Sequence, residues 1–184
     1  MSILKNCLGL SHEYIKKVLA EGDTAIDATC GNGYDTELLC KLVGDSGHVY
    51  GFDVQKQAID VTKERLKKFN NVTLILDGHE NMESYVKDEV SAIMFNFGYL
   101  PGGDHAKATK KETSISAVDA GLRLLKKGGL MTLCIYSGGD TGFEEKDAIL
   151  EFLKGIDAKS FSVLMHNFVN QVNNPPILVC IEKK

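Results

Sequence analysis

The chain has 184 residues, of which 43% are hydrophobic and 25% are charged, and these proportions are ordinary for a single globular domain with a buried core. No apolar run is long enough to cross a bilayer, and the N-terminus lacks the hydrophobic region of a signal peptide. We therefore expect a cytoplasmic protein without a membrane partner. The net charge of −4 argues against a broad basic face for duplex nucleic acid, so a nucleic acid would have to meet a local patch. The five cysteines are scattered, which favours buried free thiols over disulfides or a metal site.

Helix and strand patterns alternate along the whole chain. Ser11 is the expected N-cap of the first helix, and Lys127-Gly128-Gly129 is expected to stop the fifth. The predicted helices cover residues 9–20, 56–69, 80–86 and 112–126. Another predicted helix runs from residue 34 to the turn at 44–47, and a last helical segment lies around residues 149–153. The predicted strands cover residues 24–28, 48–52, 72–76, 90–95, 130–136, 160–168 and 177–181.

This alternation predicts an α/β fold with a doubly wound, mostly parallel sheet of seven strands, in which the last two strands form an antiparallel pair. No linker or repeat interrupts the pattern, so residues 1–184 are expected to form one domain. Ligands of such sheets bind at the carboxyl ends of the strands. Polar residues end four successive strands, namely Asp27, Asp53, Asp77 and Asn96, which places the predicted site at this edge.

A glycine loop follows the first strand and precedes a helix, so it is expected to present backbone N–H groups and a helix N-terminus to a ligand. Gly31, Gly33 and Thr36 follow the spacing of dinucleotide-binding loops, except that Thr36 stands where a third glycine is typical. Asp27 precedes the loop, where its charge would repel a pyrophosphate but attract a sulfonium or ammonium group. A purely structural glycine turn is the alternative interpretation.

S-adenosylmethionine meets these demands. Its cationic end would lie beside Asp27 and the glycine loop, its ribose would bind Asp53, and its adenine would lie near Asp77-Gly78-His79. A single aspartate at such a position is more often a helix cap or a loop residue. Three aspartates at successive strand ends favour binding.

Four segments carry a family resemblance. The segment at 26–36 resembles motif one of the class I S-adenosylmethionine-dependent methyltransferases, which have a Rossmann-like fold. Together the segments resemble the small bacterial family of rRNA methylases, which includes the tRNA wobble-uridine methyltransferase MnmM. Where that family tends to have a histidine after the fifth strand, this chain has Gly139. The segments are 26–36 (Ile-Asp-Ala-Thr-Cys-Gly-Asn-Gly-Tyr-Asp-Thr), 49–55 (Val-Tyr-Gly-Phe-Asp-Val-Gln), 96–104 (Asn-Phe-Gly-Tyr-Leu-Pro-Gly-Gly-Asp) and 170–176 (Asn-Gln-Val-Asn-Asn-Pro-Pro).

The resemblance implies methylation of the amine of 5-aminomethyl-(2-thio)uridine at the tRNA wobble position. Asn96 would accept hydrogen bonds from that amine, Tyr99 would stack on the uracil or cover the cofactor, and Asp104 would bind the ammonium form. His105 and His79 are the other candidates for the proton acceptor. The expected cofactor-binding residues are Asp27, Thr29, Gly31, Asn32, Gly33, Asp35, Thr36, Asp53, Gln55, Asp77, Gly78, His79 and Asn96, with no metal.

The expected partner is the anticodon stem-loop of tRNA. Lys107, Lys110 and Lys111 would meet its phosphates, although a solvated helix start explains them nearly as well. Amides at 170–173 would read base edges or order their own loop. A homodimer is one alternative for the oligomeric state. A methyltransferase for rRNA or a small amine is the second functional hypothesis, and a nicotinamide-linked oxidoreductase or a non-catalytic nucleotide-binding module is the third.

Overall fold

The computed structural model describes residues 3–98, 109–137 and 139–184, and of residues 139–142 only the backbone. The strands are β1 (Thr24–Asp27), β2 (His48–Asp53), β3 (Val72–Leu76), β4 (Val90–Phe97), β5 (Leu125–Ile135), β6 (Phe161–His166) and β7 (Ile177–Lys183). The helices are α1 (Cys7–Val18), α2 (Tyr34–Val43), α3 (Lys56–Arg65), α4 (Met82–Tyr85), α5 (Lys111–Leu124) and α6 (Gly139–Lys154), with a 3₁₀ turn at His79–Asn81.

The strands form one seven-stranded sheet in the order β3-β2-β1-β4-β5-β7-β6. The pairs from β3 to β5 are parallel, whereas β7 runs antiparallel to both β5 and β6. The predicted doubly wound sheet with an antiparallel last strand is confirmed. The order reverses between β1 and β4, so the ends of these two strands form the crevice where ligands of such sheets bind.

Alternation along the strands divides the core between the two faces of the sheet. On β4, Ile93, Phe95 and Phe97 belong to the apolar cluster that α5 and α6 cover, whereas Ala92 and Met94 belong to the cluster on the side of α1 and α2. By the same period of two, Asn96 lies on the side of α1 and α2.

Two predictions at helix ends are wrong. The first helix begins at Cys7, two residues before the predicted Gly9, because the side chain of Asn6 accepts a hydrogen bond from the Gly9 N–H at 2.9 Å and caps it. Ser11 is therefore not the N-cap. It lies buried inside α1 and donates a hydrogen bond to Thr132 Oγ1 on β5 at 2.9 Å. Helix α3 ends at Arg65 and does not continue to Phe69.

The middle of the chain also departs from the predicted boundaries. Strand β4 continues to Phe97, so Asn96 belongs to the strand and not to the loop after it. Strand β5 begins at Leu125, directly after α5, and includes Gly128 at φ +75°. Leu125 pairs with Val90 but Leu130 pairs with Ala92, so a bulge takes up the segment that was predicted as a turn. Helix α6 begins at Gly139, inside the segment predicted as loop.

Within the described residues, no helix is both long enough and apolar enough to span a bilayer. All five cysteines are free thiols, and all are buried.

Candidate active site

The glycine loop between β1 and α2 adopts a conformation that its glycines make accessible. Gly31 has φ +53° and Gly33 has φ +78°, and Gly33 is the left-handed N-cap of α2. A Cβ at Gly33 would lie 2.8 Å from Thr62 Oγ1 and 3.1 Å from Thr62 Cα, so α3 leaves no room for a side chain. The loop therefore approaches α3 closely, and the N-terminus of α2 is left at the carboxyl edge of the sheet.

Asp27 is fully buried beneath this loop. Its Oδ1 accepts the N–H of Thr29 at 3.1 Å, and its Oδ2 accepts the hydroxyl of Thr36 at 2.6 Å. Burial, followed by the charge of Asp35, raises the pKa of Asp27 to about 7, while the bonds from Thr36 and Thr29 oppose the shift. Asp27 thus ties β1 to α2, and its charge acts on the ligand site from below the loop.

Asp53, at the end of β2, connects that strand to the same loop. Its Oδ2 accepts the N–H of Gly31 at 3.0 Å, and its Oδ1 accepts the N–H of Gln55 at 2.9 Å. Each carboxylate oxygen has a second lone pair, so each can also accept a hydroxyl. Asp53 is partly exposed, as a ligand-binding carboxylate must be.

The end of β3 presents a different arrangement. Asp77 accepts hydrogen bonds from the Gly78 N–H at 2.7 Å, from Asn81 Nδ2 at 3.0 Å and from Tyr85 Oη at 2.7 Å. These bonds, that of Tyr85 foremost, lower the pKa of Asp77, so it is ionised at neutral pH. The carboxylate organises the turn that leads into His79.

The imidazole of His79 is part of the core. Its Nδ1 lies 3.2 Å from the Ala28 carbonyl oxygen, which requires that Nδ1 carry the proton. Its ring packs edge-on against Phe95 and Phe97, with centroids 5.7 and 5.9 Å apart. Burial lowers the pKa of His79, so the ring is neutral at neutral pH. These contacts favour a packing role for the ring.

Asn96 lies at the switch in strand order, where three elements meet. Its backbone N–H donates to Thr29 Oγ1 at 2.8 Å, and its side-chain Nδ2 donates to Asp35 Oδ2 at 2.8 Å. Asp35 Oδ1 in turn lies 2.6 Å from His12 Nε2. We call this group the His12–Asp35–Asn96 chain. It fixes the rotation of the Asn96 amide, so that Oδ1 is the atom left to accept a further hydrogen bond.

Sequence reasoning missed several residues that shape this site. His12 lies on α1, 23 residues from Asp35, and nothing in the local pattern marks it. Arg65, on α3, donates to the Asn32 carbonyl at 2.7 Å and lies 3.7 Å above the Tyr34 ring, so it braces the glycine loop. The only signal for Arg65 in the sequence is that arginine occurs twice in the chain.

Tyr99 and Asp104, two of the three predicted catalytic residues, lie outside the described residues, as do His105 and Lys107. Gly139 is described by its backbone alone, as the first residue of α6. The predicted roles of Tyr99, Asp104, His105 and Lys107 stay predictions.

The described residues at this edge fit S-adenosylmethionine. The glycine loop presents a helix N-terminus, Asp53 offers acceptors for a ribose, and two buried or half-buried carboxylates, Asp27 and Asp35, suit a cationic ligand better than a pyrophosphate. The fold and this site together define a class I methyltransferase, the class that uses S-adenosylmethionine.

Comparison with known proteins supports this class and gives the family. The family model described as "Putative rRNA methylase" matches residues 49–182. The chain is 35% identical to the "tRNA (mnm(5)s(2)U34)-methyltransferase, chloroplastic" of Arabidopsis thaliana over 193 residues, which cover 98% of this chain and 70% of that protein. A model for protein-L-isoaspartate O-methyltransferase matches residues 5–87 only, the part that carries the glycine loop and Asp53.

Two solved structures agree with this result. The structure of a "putative rRNA-methylase" from Clostridium thermocellum has a TM-score of 0.97 and 55% identity, covering 100% of both chains. That of a "putative methyltransferase" from Streptococcus mutans in complex with SAH has a TM-score of 0.91 and 41% identity, covering 99% of this chain and 100% of that one. The chain therefore belongs to the rRNA methylase family of class I methyltransferases.

Proposed function

We propose that this protein methylates the amine of 5-aminomethyl-(2-thio)uridine at the wobble position of tRNA, giving the 5-methylaminomethyl form. Similarity to the Arabidopsis wobble-uridine enzyme extends over 98% of this chain, which supports the substrate class. The structural observation that carries the proposal is Asn96, whose amide is held by Asp35 with an acceptor oxygen left over at the ligand crevice. An amine nucleophile needs such an acceptor.

S-adenosylmethionine supplies the methyl group, which leaves its sulfonium sulfur as the bond to the amine nitrogen forms. The protein's part is to position a neutral amine for this in-line displacement. Asn96 Oδ1 accepts one N–H of the amine, which directs the nitrogen lone pair away from Asn96 and towards the methyl group. Asp35 and His12 act through Asn96 by preventing its amide from rotating. After transfer the nitrogen releases one proton.

An alkylamine has a pKa near ~10.4, so the substrate arrives mostly protonated at neutral pH. Desolvation in the crevice lowers that value, and a carboxylate near the amine holds the ammonium form until it loses its proton. We infer that Asp104 has this role and that Tyr99 stacks on the uracil. The burial of His79 and the bond from its Nδ1 to Ala28 favour a structural role over that of a base.

For the cofactor we propose the residues that the glycine loop brings together. Asp53 accepts the ribose hydroxyls, the backbone of 31–33 and the N-terminus of α2 face the methionine end, and the turn at 77–79 faces the adenine. Asp27 acts through the loop, because both of its oxygens are engaged by Thr29 and Thr36. The remaining residues of the predicted set, Asn32, Gln55 and Asp35, hold these elements in place through the contacts described above.

We further propose that the RNA partner is the anticodon stem-loop, bound by a local patch. Lys110 and Lys111 lie exposed at the start of α5, directly after the segment 99–108, and are suited to phosphate contacts. A single domain over residues 1–184 and a cytoplasmic location belong to this proposal. The latter is supported by five free thiols, which are typical of a reducing compartment.

The exposed edge of the sheet supports a homodimer. Strand β6 lies at the edge of the sheet. Its residues Val163, Leu164 and Met165 are 40%, 53% and 50% exposed. An exposed apolar edge strand favours association with another chain. Light scattering on the purified protein distinguishes a dimer from a monomer, and a monomer at working concentrations would reject the homodimer.

The test of the function is the nucleoside composition of tRNA from a strain that lacks this protein. We expect the 5-methylaminomethyl nucleoside to disappear and the 5-aminomethyl form to accumulate, and the wild-type gene to reverse both changes. In vitro, the purified protein and labelled S-adenosylmethionine should methylate that tRNA but not the ribosomal RNA of the same strain. If the methylaminomethyl nucleoside persists unchanged, the wobble assignment is wrong. Labelling of the ribosomal RNA would favour the rRNA alternative.

A further inference from the structure

Besides Asp27 and Asp35, a third buried carboxylate lies outside the cofactor crevice. Glu145, on α6, is only 3% exposed, and both of its oxygens accept hydroxyl groups. Ser114 Oγ on α5 donates to its Oε1 at 2.6 Å, and Thr109 Oγ1 donates to its Oε2 at 2.9 Å. Burying a carboxylate has a large desolvation cost unless its hydrogen bonds are satisfied, so an apolar side chain would pack between these helices at a lower free-energy cost. The polar group therefore calls for a reason beyond packing.

The hydroxyl of Thr109 supplies that reason, because it connects Glu145 to the end of β4. Its one proton goes to Glu145, so its lone pair accepts the N–H of Gly98 at 3.0 Å. The backbone N–H of Thr109 also donates to the Gly98 carbonyl oxygen at 3.0 Å. We call Gly98, Thr109, Ser114 and Glu145 the loop anchor. It joins Gly98 and Thr109, the residues on either side of the ten-residue segment 99–108, to each other and to α5 and α6.

Segment 99–108 begins three residues after Asn96 and carries Tyr99 and Asp104, which the proposed function assigns to the methyl acceptor. We propose that Glu145 is a positioning residue for methyl transfer, acting through Thr109 to fix Gly98 and Thr109, the two residues that flank this segment, at the end of β4. The proposal rests on the proposed function for what the segment does. It rests on the described geometry alone for what the anchor holds.

The substitutions Glu145→Gln and Thr109→Val test the anchor. Glutamine keeps the volume of Glu145, but its NH₂ group cannot accept from the second hydroxyl, whereas valine keeps the shape of Thr109 without its hydroxyl. Thr109→Ser keeps the hydroxyl and is the conservative variant. Glu151→Gln is the matched control, since Glu151 lies on the same helix, its side chain is 75% exposed and its ion-pair partner is Lys154 on the outer surface.

The measurement is the single-turnover rate of tRNA methylation with saturating cofactor and RNA, beside the Kd for S-adenosylhomocysteine. We expect the rate to fall roughly tenfold to a hundredfold in Glu145→Gln and Thr109→Val, as small misplacements of reacting groups produce. We expect Kd to change by less than about twofold, because the glycine loop and Asp53 are untouched. Thr109→Ser and Glu151→Gln should keep the wild-type rate. If Glu145→Gln does not fold, the comparison of Thr109→Val with Thr109→Ser carries the test.

Two results would overturn the proposal: folded Glu145→Gln and Thr109→Val proteins with the wild-type rate, or Thr109→Ser losing as much as Thr109→Val. A readout without RNA separates this failure from that of the function. Trypsin should cleave after Lys110, the residue that follows Thr109, faster in Glu145→Gln than in Glu151→Gln at equal thermal stability. Faster cleavage in a protein whose wild type does not methylate tRNA would support the anchor and reject the substrate. Equal cleavage in both variants would reject the anchor.

Discussion

Replacing Asp53 by alanine tests the cofactor site most directly, because this carboxylate connects the end of β2 to the glycine loop. In the structure, one oxygen accepts the Gly31 N–H at 3.0 Å and the other accepts the Gln55 N–H at 2.9 Å. The proposed role adds the two ribose hydroxyls on the remaining lone pairs. Alanine removes all four acceptor positions at once and leaves the loop without its tie to β2.

The expected magnitude follows from the two ribose bonds. A hydrogen bond to a charged group contributes about 1.5–3 kcal/mol, so losing two costs at least about 3 kcal/mol of binding free energy. Since about 1.4 kcal/mol corresponds to a tenfold change, Kd should rise roughly a hundredfold or more. Asp53→Asn keeps one acceptor oxygen, and we expect roughly a tenfold rise for it.

The assay is isothermal titration calorimetry with S-adenosylhomocysteine, which has the ribose and adenine but lacks the sulfonium charge. This choice isolates the contribution of Asp53 from that of Asp27. Asp60→Asn is the matched control, because Asp60 lies on the outer surface of α3 in an exposed ion pair with Lys56. If Asp53→Ala remains folded by circular dichroism and binds within about twofold of wild type, the placement of the ribose is wrong.

Three further predictions concern the loop and the acceptor. Gly33→Ala should lower the free energy of unfolding, measured by urea denaturation, by about 2–5 kcal/mol. This is the sum of the conformational cost of a positive φ and the cost of the steric overlap between the new Cβ and Thr62. Gly128→Ala, at φ +75° with nothing within 4 Å, should cost only the conformational part of about 1–2 kcal/mol, and equal losses would refute the overlap. The folded-state pKa of Asp27 is raised from 3.8 to about 7, so its contribution to stability is full below pH 3.8 and is lost as pH rises towards 7. The stability of Asp27→Asn should accordingly fall less than that of wild type between pH 5 and pH 8, and parallel curves would contradict the shift. Asn96→Ala should lower the single-turnover rate of methylation at least about tenfold with little change in Kd for S-adenosylhomocysteine, whereas an unchanged rate would remove Asn96 from the mechanism.

Much of the fold was predictable because its signals are local. The buried run at 90–95, the glycine turn after Asp27 and the aspartates at the strand ends each follow from the period of the apolar residues and from turn chemistry. Boundaries were less predictable. Ser11 is a residue type that often caps helices, but the side chain that accepts the N–H at the start of α1 is that of Asn6. The glycines at 128 and 129 are typical of a turn, but pairing with β4 extends strand β5 through them.

The same distinction applies to the candidate site: local signals predict some of its features, and long-range contacts determine the others. Local patterns show that polar groups end neighbouring strands and that a glycine loop opens onto a helix. Together with the family resemblance, these patterns are enough to predict the class of methyltransferase. Only the tertiary structure decided what each group touches. Asp27 is buried and tied to Thr36, His79 packs against Phe95 and Phe97, and Asn96 lies on the face where Asp35 meets it.

The physical reason is the distance along the chain. Asn96 and Asp35 are 61 residues apart, Asp35 and His12 are 23 apart, and Thr109 and Glu145 are 36 apart. Alternation in a strand tells which residues share a face, but which helix covers that face depends on the order of the strands and on the crossovers. The His12–Asp35–Asn96 chain and the loop anchor exist only because the sheet brings β1 beside β4 and places α1 and α2 on one face and α5 and α6 on the other.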